Sequence, residues 1–540
     1  MKSKPRIRSV LCGEMALIAG LALIKLVLHF AFNGRYGYQR DELYFIACGE
    51  HLDWGYVDIG PLTPWLGRLM REALGESLFA LRFTSAVAGA LTVFLTGWLA
   101  RYLGGKRFAQ AIAALCVIIA PVWLQAGNIL ALPSSEPLFW VSCACLIAVI
   151  FKTGRTRLWT AVGAVAGVGL LNKPSMAFFG VGLVIGLLLT RQRRHLADKW
   201  LWGGGLIALV LASPFILWQA THGWATWEFV HGMNRDLMAQ IPRWLFLLGQ
   251  VVYQHPFTLP IWVAGLGWLF FARQGEPYRA LGWTFLFVFT FLLTAKSKIY
   301  YLAPAYPMLL ASGAVAVESF IERHHARWPK AAIPVALLAG GLATMPVALP
   351  ILPIEKMDGY VRTMTFGTMD KVYEVTGTWH DQFGWKEQAE AIADVYRALA
   401  PEEQADCMII VGNFGEAGAI DFYGPDLGLP PATSIHQNYF FWGPGTASGQ
   451  LAIAYGIGED FLGELFGNVE HAATLRCREC LPYEDNVAVY ICRKPKIDLR
   501  KAWDTFRMIA FSNTGVSAET VQRLREALDP FRTPAAEGEA

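Results

Sequence analysis

The residues best suited to chemistry crowd one stretch, residues 36–71, YGYQRDELYFIACGEHLDWGYVDIGPLTPWLGRLMR. It sets Arg40, Asp41, Glu42, Asp53 and Asp58 among aromatic side chains directly after a long apolar block. A carboxylate held beside apolar groups at a bilayer surface is partly desolvated, and that raises its proton affinity toward the range of a general base. Asp41 and Glu42 are neighbours, so on a helix they point about 100° apart and do not form an acid–base pair by themselves. The competing reading is a solvated loop with a local Arg40–Asp41 contact.

Basic residues form a second set. Lys173 lies in the turn LLNKPS, and Lys296 and Lys298 flank AKSKIYYLAP. Lysine at the end of a span commonly snorkels to the interface. Converging on one anionic group such as a lipid phosphate, these lysines would act as point charges, without arginine's fork. Glu136, in NILALPSSEPLFW, is either a first-turn carboxylate with Ser134 or Ser135 as helix cap, or a substrate contact. His255, before Pro256, reads as structural.

These residues need elements to hold them, and composition says which. The 540-residue chain is 54% hydrophobic and only 16% charged, with a mean hydropathy of +0.36. A soluble domain carries about 25% charged residues, so an all-soluble enzyme, a disordered chain and a fibrous repeat are excluded. A membrane helix needs about 20 apolar residues. Blocks of that kind fall near 10–32, 81–100, 108–127, 136–151, 158–172, 175–190, 201–218, 244–271, 280–295, 301–320 and 331–352, giving about eleven spans. Arg and Lys flank alternate spans (Lys2 to Arg8, Arg101 to Arg107, Lys152 to Arg157, Arg191 to Lys199, Arg323 to Lys330). With an odd span count, that bias puts the amino terminus in the cytoplasm and everything from residue 353 outside it. The net charge of +3 is spread along the chain and gives no support to nucleic-acid binding.

The sequence thus divides into a membrane region, 1–352, with a large first outer loop at 33–80, and an extracytoplasmic α/β domain, 353–540. In that domain 407–412, 451–455 and 487–492 read as strands, and 385–399, 416–423 and 521–528 as helices. Gly424-Pro425 and Gly443-Pro444 punctuate it. Of nine cysteines, five are small hydrophobes in or near the spans. Outside the cytoplasm, Cys477, Cys480 and Cys492 are candidates for a disulfide. A zinc site wants four ligands, and no metal cluster is evident. Walker, GxGxxG, HExxH and GxSxG patterns are absent, so direct nucleotide use has no support.

The stretch YGYQRDELYFIACGEHLDWGYVDIGPL resembles the first loop of the dolichyl-phosphate-mannose protein mannosyltransferase-like glycosyltransferases. This is the bacterial family 39-like branch of the GT-C superfamily, related to the lipid A aminoarabinose transferases. SSEPLFW, GLLNKPSM, LWQATHGWATWEF, KSKIYYLAPAYPMLLASGA and NFGEAGAIDFYGPDLGLP resemble the same group in order, so the likeness spans nearly the whole chain. It implies a GT-C membrane fold and transfer of a sugar, with inversion, from a polyprenyl-phosphate carrier to a protein, lipid or glycan acceptor at the outer face. Asp41 would deprotonate the acceptor, and Glu42 would orient it or hold the loop. Arg40, Asp58, Glu136, Lys173, Lys296, Lys298 and Tyr300 would contact substrate, with Arg82 in reserve. Tyr38, Trp54 and Tyr56 would stack on sugar. No cofactor or metal is strongly implied. Relatives carry a second proline where this chain has Gly60 before Pro61 and Leu62, and 364–380 matches no familiar pattern. A transporter or flippase for a lipid or small solute is the alternative. It calls for polar groups near mid-membrane and repeat symmetry, and no repeat is visible.

Overall fold

The computed structural model describes residues 4–236, 241–511 and 518–532. The chain divides into two units. One comprises 1–35, 59–221 and 238–352, and the other 36–58, 222–237 and 353–540. The sequence placed 33–80 wholly with the membrane region. In the structure 36–58 clusters with the tail, and 59 onward with the helical unit.

The first unit is a helical bundle and the chain is a multi-pass membrane protein. Among the described residues seven helices are long and apolar enough to cross a bilayer, or eight if the bent pair Met176–Leu188 and Arg191–Ala197 is one span. The eleven apolar blocks of the sequence therefore do not all become full-length helices. The block at 108–127 becomes Arg107–Ile119 and Pro121–Ala126, because Pro121 has no N–H with which to continue the first helix. The block at 244–271 becomes Arg243–Tyr253 and Leu259–Phe271, interrupted at Pro256. A break inside a bilayer leaves carbonyls without water, and they need another donor. Lys25, fully buried, supplies it at the first break: its Nζ donates to Ile118 O (3.3 Å) and Trp123 O (3.2 Å).

The second unit is built on a five-stranded sheet. Its strands are β1 (Cys407–Val411), β2 (Ala432–Thr433), β3 (Leu451–Tyr455), β4 (Phe466–Leu475) and β5 (Val487–Pro495), in the order β2-β1-β3-β5-β4. β1 runs parallel to β2 and β3, while β5 is antiparallel to β3 and β4. Helix Phe414–Leu427 makes the crossover from β1 to β2. It contains Pro425, which the sequence had placed at a break. Asn413 caps this helix, its side chain accepting from Gly415 and Glu416 N–H, and Glu416 reaches back to Asn413 N–H. Cys477 and Cys480 are joined, while Cys492 is a buried free thiol on β5.

The loop helix Arg40–Glu50 packs against this crossover helix. Two glycines make the approach possible. A Cβ on Gly415 would lie 2.4 Å from Arg40 Cγ, and one on Gly418 would lie 2.9 Å from the Leu43 carbonyl carbon. The segment NFGEAGAIDFY is thus the seat of the loop helix, which ties two stretches some 370 residues apart into one body.

Candidate active site

In the second unit the loop helix Arg40–Glu50 opens with a capping box. Gln39 Oε1 accepts from Asp41 N–H at 2.9 Å, and Glu42 Oε2 accepts from Gln39 N–H at 2.9 Å. This separates the two adjacent acids. Glu42 is fully buried and committed to the helix start, whereas Asp41 is half-buried in the first turn, where the dipole favours a negative charge.

Arg40, assigned to substrate from the sequence, is engaged otherwise. Its Nη2 meets Glu484 Oε1 at 2.5 Å and its Nε lies 3.3 Å from Asp381 Oδ1. Its guanidinium stands over the rings of Tyr483 (5.1 Å) and Trp385 (5.3 Å). The local Arg40–Asp41 contact of the solvated-loop reading gives way to these distant partners. Burial opposes the Arg40 charge, and Asp381 and Glu484 more than restore it. One guanidinium does not satisfy so many acids. Burial pushes the Asp381 carboxyl up to about 7 against the pull of Arg40, with the Asp41 charge adding to the rise. Burial likewise raises Glu416 and Glu484. Gln39 Nε2 donates to Asp381 Oδ2 at 2.6 Å, which joins the helix cap to the cluster.

Asp58 is half-buried and accepts from Tyr44 Oη at 3.2 Å, while Asn438 Oδ1 accepts from Tyr44 Oη and Val57 N–H. Tyr56, a candidate sugar platform, is fully buried with its hydroxyl on Cys48 O and His51 O, so it packs the loop instead. Trp54 is 50% exposed. Tyr38 is half-buried against Phe422 and Tyr423.

In the first unit Glu136 and Lys173, 37 residues apart, form a buried ion pair at 3.1 Å, and Ser175 Oγ also donates to Glu136. Lys173 Nζ lies 4.1 Å from the Tyr301 ring and 5.5 Å from that of Tyr300. Such faces attract a cation. Lys296 and Lys298 sit at the start of the 3-10 segment Ile299–Ala305 that carries both tyrosines. Glu136 is not a capped first-turn acid. The helix Leu132–Thr153 has Ala131 at its N-cap with no side-chain bond, Ser134 turns to Ala126 O and Ile129 O, and Ser135 donates to Asn172. Asn172 gathers this corner: Oδ1 accepts from Ser135 (2.9 Å) and Thr63 (3.1 Å), and Nδ2 donates to Leu132 O. Gly60 lies against the same turn. A Cβ there would be 2.0 Å from Leu171 O. Arg82 is buried and donates to Asn33 O at 2.8 Å.

The structure therefore brings Glu136, Lys173 and Tyr300 together in one unit, and Arg40, Asp41, Glu42 and Asp58 in the other. Sequence reasoning missed Asp381, Glu416, Glu484, Asn172, Ser175 and Tyr301. Only the Gln39–Glu42 spacing, three residues apart before an apolar run, carried a local signal. Among the described residues no group of three or more His, Cys, Asp and Glu is arranged to hold a metal ion.

Residues 58–218 match the family model described as dolichyl-phosphate-mannose-protein mannosyltransferase. The chain is 26% identical over 272 residues to undecaprenyl phosphate-alpha-4-amino-4-deoxy-L-arabinose arabinosyl transferase 1 of Pseudomonas fluorescens, covering 47% of this chain and 49% of that protein. It is 27% identical over 307 residues to the transferase of the same description from Pseudomonas paraeruginosa, covering 53% of each. The matched region spans about half the length of these curated relatives. Among solved structures, ArnT from Cupriavidus metallidurans bound to undecaprenyl phosphate aligns with a TM-score of 0.55 at 17% identity, over 87% of this chain and 97% of ArnT. By that likeness the chain shares the fold of ArnT, and residues 58–218 carry the pattern of the dolichyl-phosphate-mannose-protein mannosyltransferase family.

Proposed function

We infer that this protein is a glycosyltransferase that takes a monosaccharide from a polyprenyl-phosphate carrier and passes it, with inversion, to an acceptor outside the cytoplasm. In this reading the amino terminus is cytoplasmic, and the loop helix and tail are extracytoplasmic. Asp41 takes a proton from the acceptor nucleophile. The nucleophile attacks the anomeric carbon, and the carbon–oxygen bond to phosphate breaks, leaving polyprenyl phosphate. That leaving group needs cations more than a strong acid. Lys173, Lys296 and Lys298 supply them, with Tyr300 as an aromatic wall and Asp58 and Glu136 as further polar contacts. Glu42 holds the start of the loop helix.

The observation that carries the chemical part is the split between the two adjacent acids: Glu42 is buried in the capping box, and Asp41 stands half-buried beside it. The donor class is supported by the ArnT fold, since ArnT was crystallised with undecaprenyl phosphate, and by the names of the relatives. Purified protein incubated with a panel of polyprenyl-phosphate sugars and a membrane extract as acceptor should release free polyprenyl phosphate from at least one of them. Release from none would remove the donor class.

A further inference from the structure

The tail carries a CxxC pair, Cys477 to Cys480, that the proposed reaction does not use. It also carries a buried acid cluster far from any proposed substrate contact in sequence. The two belong together. Glu484 and Cys480 lie on one short loop, and Asp485 Oδ1 accepts from Cys477 N–H at 2.9 Å, which folds the loop back on itself. Between the two cysteines, the Glu479 carbonyl accepts from His380 Nδ1 at 2.6 Å. His380 begins the turn His380–Gln382 that presents Asp381, and Trp385 Nε1 fixes the Asp381 carbonyl at 2.8 Å. Both anions that hold Arg40 thus hang from the crosslinked loop: Glu484 through the chain, Asp381 through His380. Gly384, at φ +92°, packs on the same crosslink, where a Cβ would lie 2.9 Å from Cys477 Sγ.

We propose that Arg40 is a positioning residue that sets the loop helix Arg40–Glu50, and hence Asp41, through Asp381 and Glu484, and that the Cys477–Cys480 disulfide keeps those two carboxylates in place. Arg40 precedes Asp41 directly, so its guanidinium fixes the end of the helix that bears the proposed base. Gln39, on the other side, donates to the same Asp381. A fork that hydrogen-bonds one carboxylate, Glu484, and pairs electrostatically with a second, Asp381, at another nitrogen defines direction as well as distance, which a lysine at this place does only in part. A phosphate-binding Arg40 would have to give up both buried partners first, and a buried charge left without its partner is costly.

The inference rests on the reading of Asp41 as the base, but its test needs no turnover. Amide hydrogen exchange is followed on the full-length protein in lipid nanodiscs, oxidised and after dithiothreitol. The reagent passes two electrons and two protons to the S–S bond, leaving two thiols and its own cyclic disulfide. On reduction the amides of residues 43–50 should exchange at least tenfold faster, while those of β3 keep their rate. Oxidised Arg40→Gln should show the same loss, and Arg40→Lys should recover part of the protection. Undecaprenyl phosphate, used as the probe, should bind Arg40→Lys within about threefold of wild type, the scatter expected of a group outside the phosphate site. Unchanged protection on reduction overturns the role of the crosslink, and unchanged protection in Arg40→Gln overturns that of Arg40. Undecaprenyl phosphate binding lost with the helix still protected would make Arg40 a phosphate ligand instead. Should Arg40→Gln fail to fold, Glu484→Gln reads the same helix with the cation retained. Wild-type protein that loosens on reduction as described yet transfers no sugar even when oxidised would contradict the proposed function and leave the positioning role standing.

Discussion

The Arg40 cluster and the Lys173 corner each pair a buried cation with carboxylate, and they are built to opposite effect. Arg40 has two carboxylates in ion-pair contact, Glu484 and Asp381, and a third, Glu416, within electrostatic reach. Lys173 has one, Glu136, and two tyrosine faces. An arginine oversupplied with anions is a fastening: a further anion gains little there and meets repulsion. A lysine with a single carboxylate and aromatic walls is a balanced pair whose ammonium can accept a second anion when one arrives. In the proposed reading, the arginine rich in anions is the place that holds the fold, and the balanced lysine pair is the place that receives the donor phosphate.

The largest expected effect breaks the Lys173 corner. Lys173→Ala leaves Glu136 buried without its partner and should cost about 3–5 kcal/mol, read as denaturant stability in detergent. Lys173→Met combined with Glu136→Gln should restore most of that stability without restoring sugar transfer. Recovery of both would make the pair purely structural. A smaller effect follows at Gly60, where the added methyl of Gly60→Ala meets Leu171 O. Overpacking of this kind costs about 1–3 kcal/mol, and displacement of the Lys173 turn should raise the concentration of undecaprenyl phosphate needed for half-saturation. An unchanged stability and affinity would show that the turn shifts freely enough to admit the methyl.

A pH-dependent effect sharpens the other side of the comparison. Asp381 keeps its proton to about 7 in the folded chain, whereas an unfolded aspartate loses it near pH 3.9. Between those values the folded state binds more protons, so stability falls as pH rises from about 4 to about 7 and is level above. The melting temperature should drop across that window, and Asp381→Asn should flatten the profile. A wild-type profile that rises over the same range would mean that Arg40 keeps Asp381 ionised throughout.

Local structure was legible wherever apolar residues run together. The strands at 407, 451 and 487 and the helices at 385 and 414 follow from such runs. β4 escaped because it is an edge strand whose middle faces water: GNVEHAAT has no alternation to read. Broken spans were hidden because Pro121 and Pro256 sit inside stretches apolar enough to pass for single helices. The site was half legible. Asp41, Glu42, Lys173 and Glu136 stood out by type, but their partners did not. Arg40 and Glu484 are 444 residues apart and Lys173 and Glu136 are 37 apart, so nothing in local sequence joins them. Tyr56 misled for a related reason. A tyrosine beside acids looks like a sugar platform until its hydroxyl is found on Cys48 O and His51 O.

The division of labour between the adjacent acids is the central claim, and one side-by-side measurement reaches it. The rate of polyprenyl phosphate release is taken for wild type, Asp41→Asn and Glu42→Gln at equal amounts of folded protein. Glutamine serves in a capping box as glutamate does, so Glu42→Gln should stay within about threefold of wild type. Asp41→Asn should fall by about 100-fold or more, the range for losing a general base. A Glu42→Gln variant that is the more damaged of the two, or an Asp41→Asn variant that keeps most of its rate, would contradict the account.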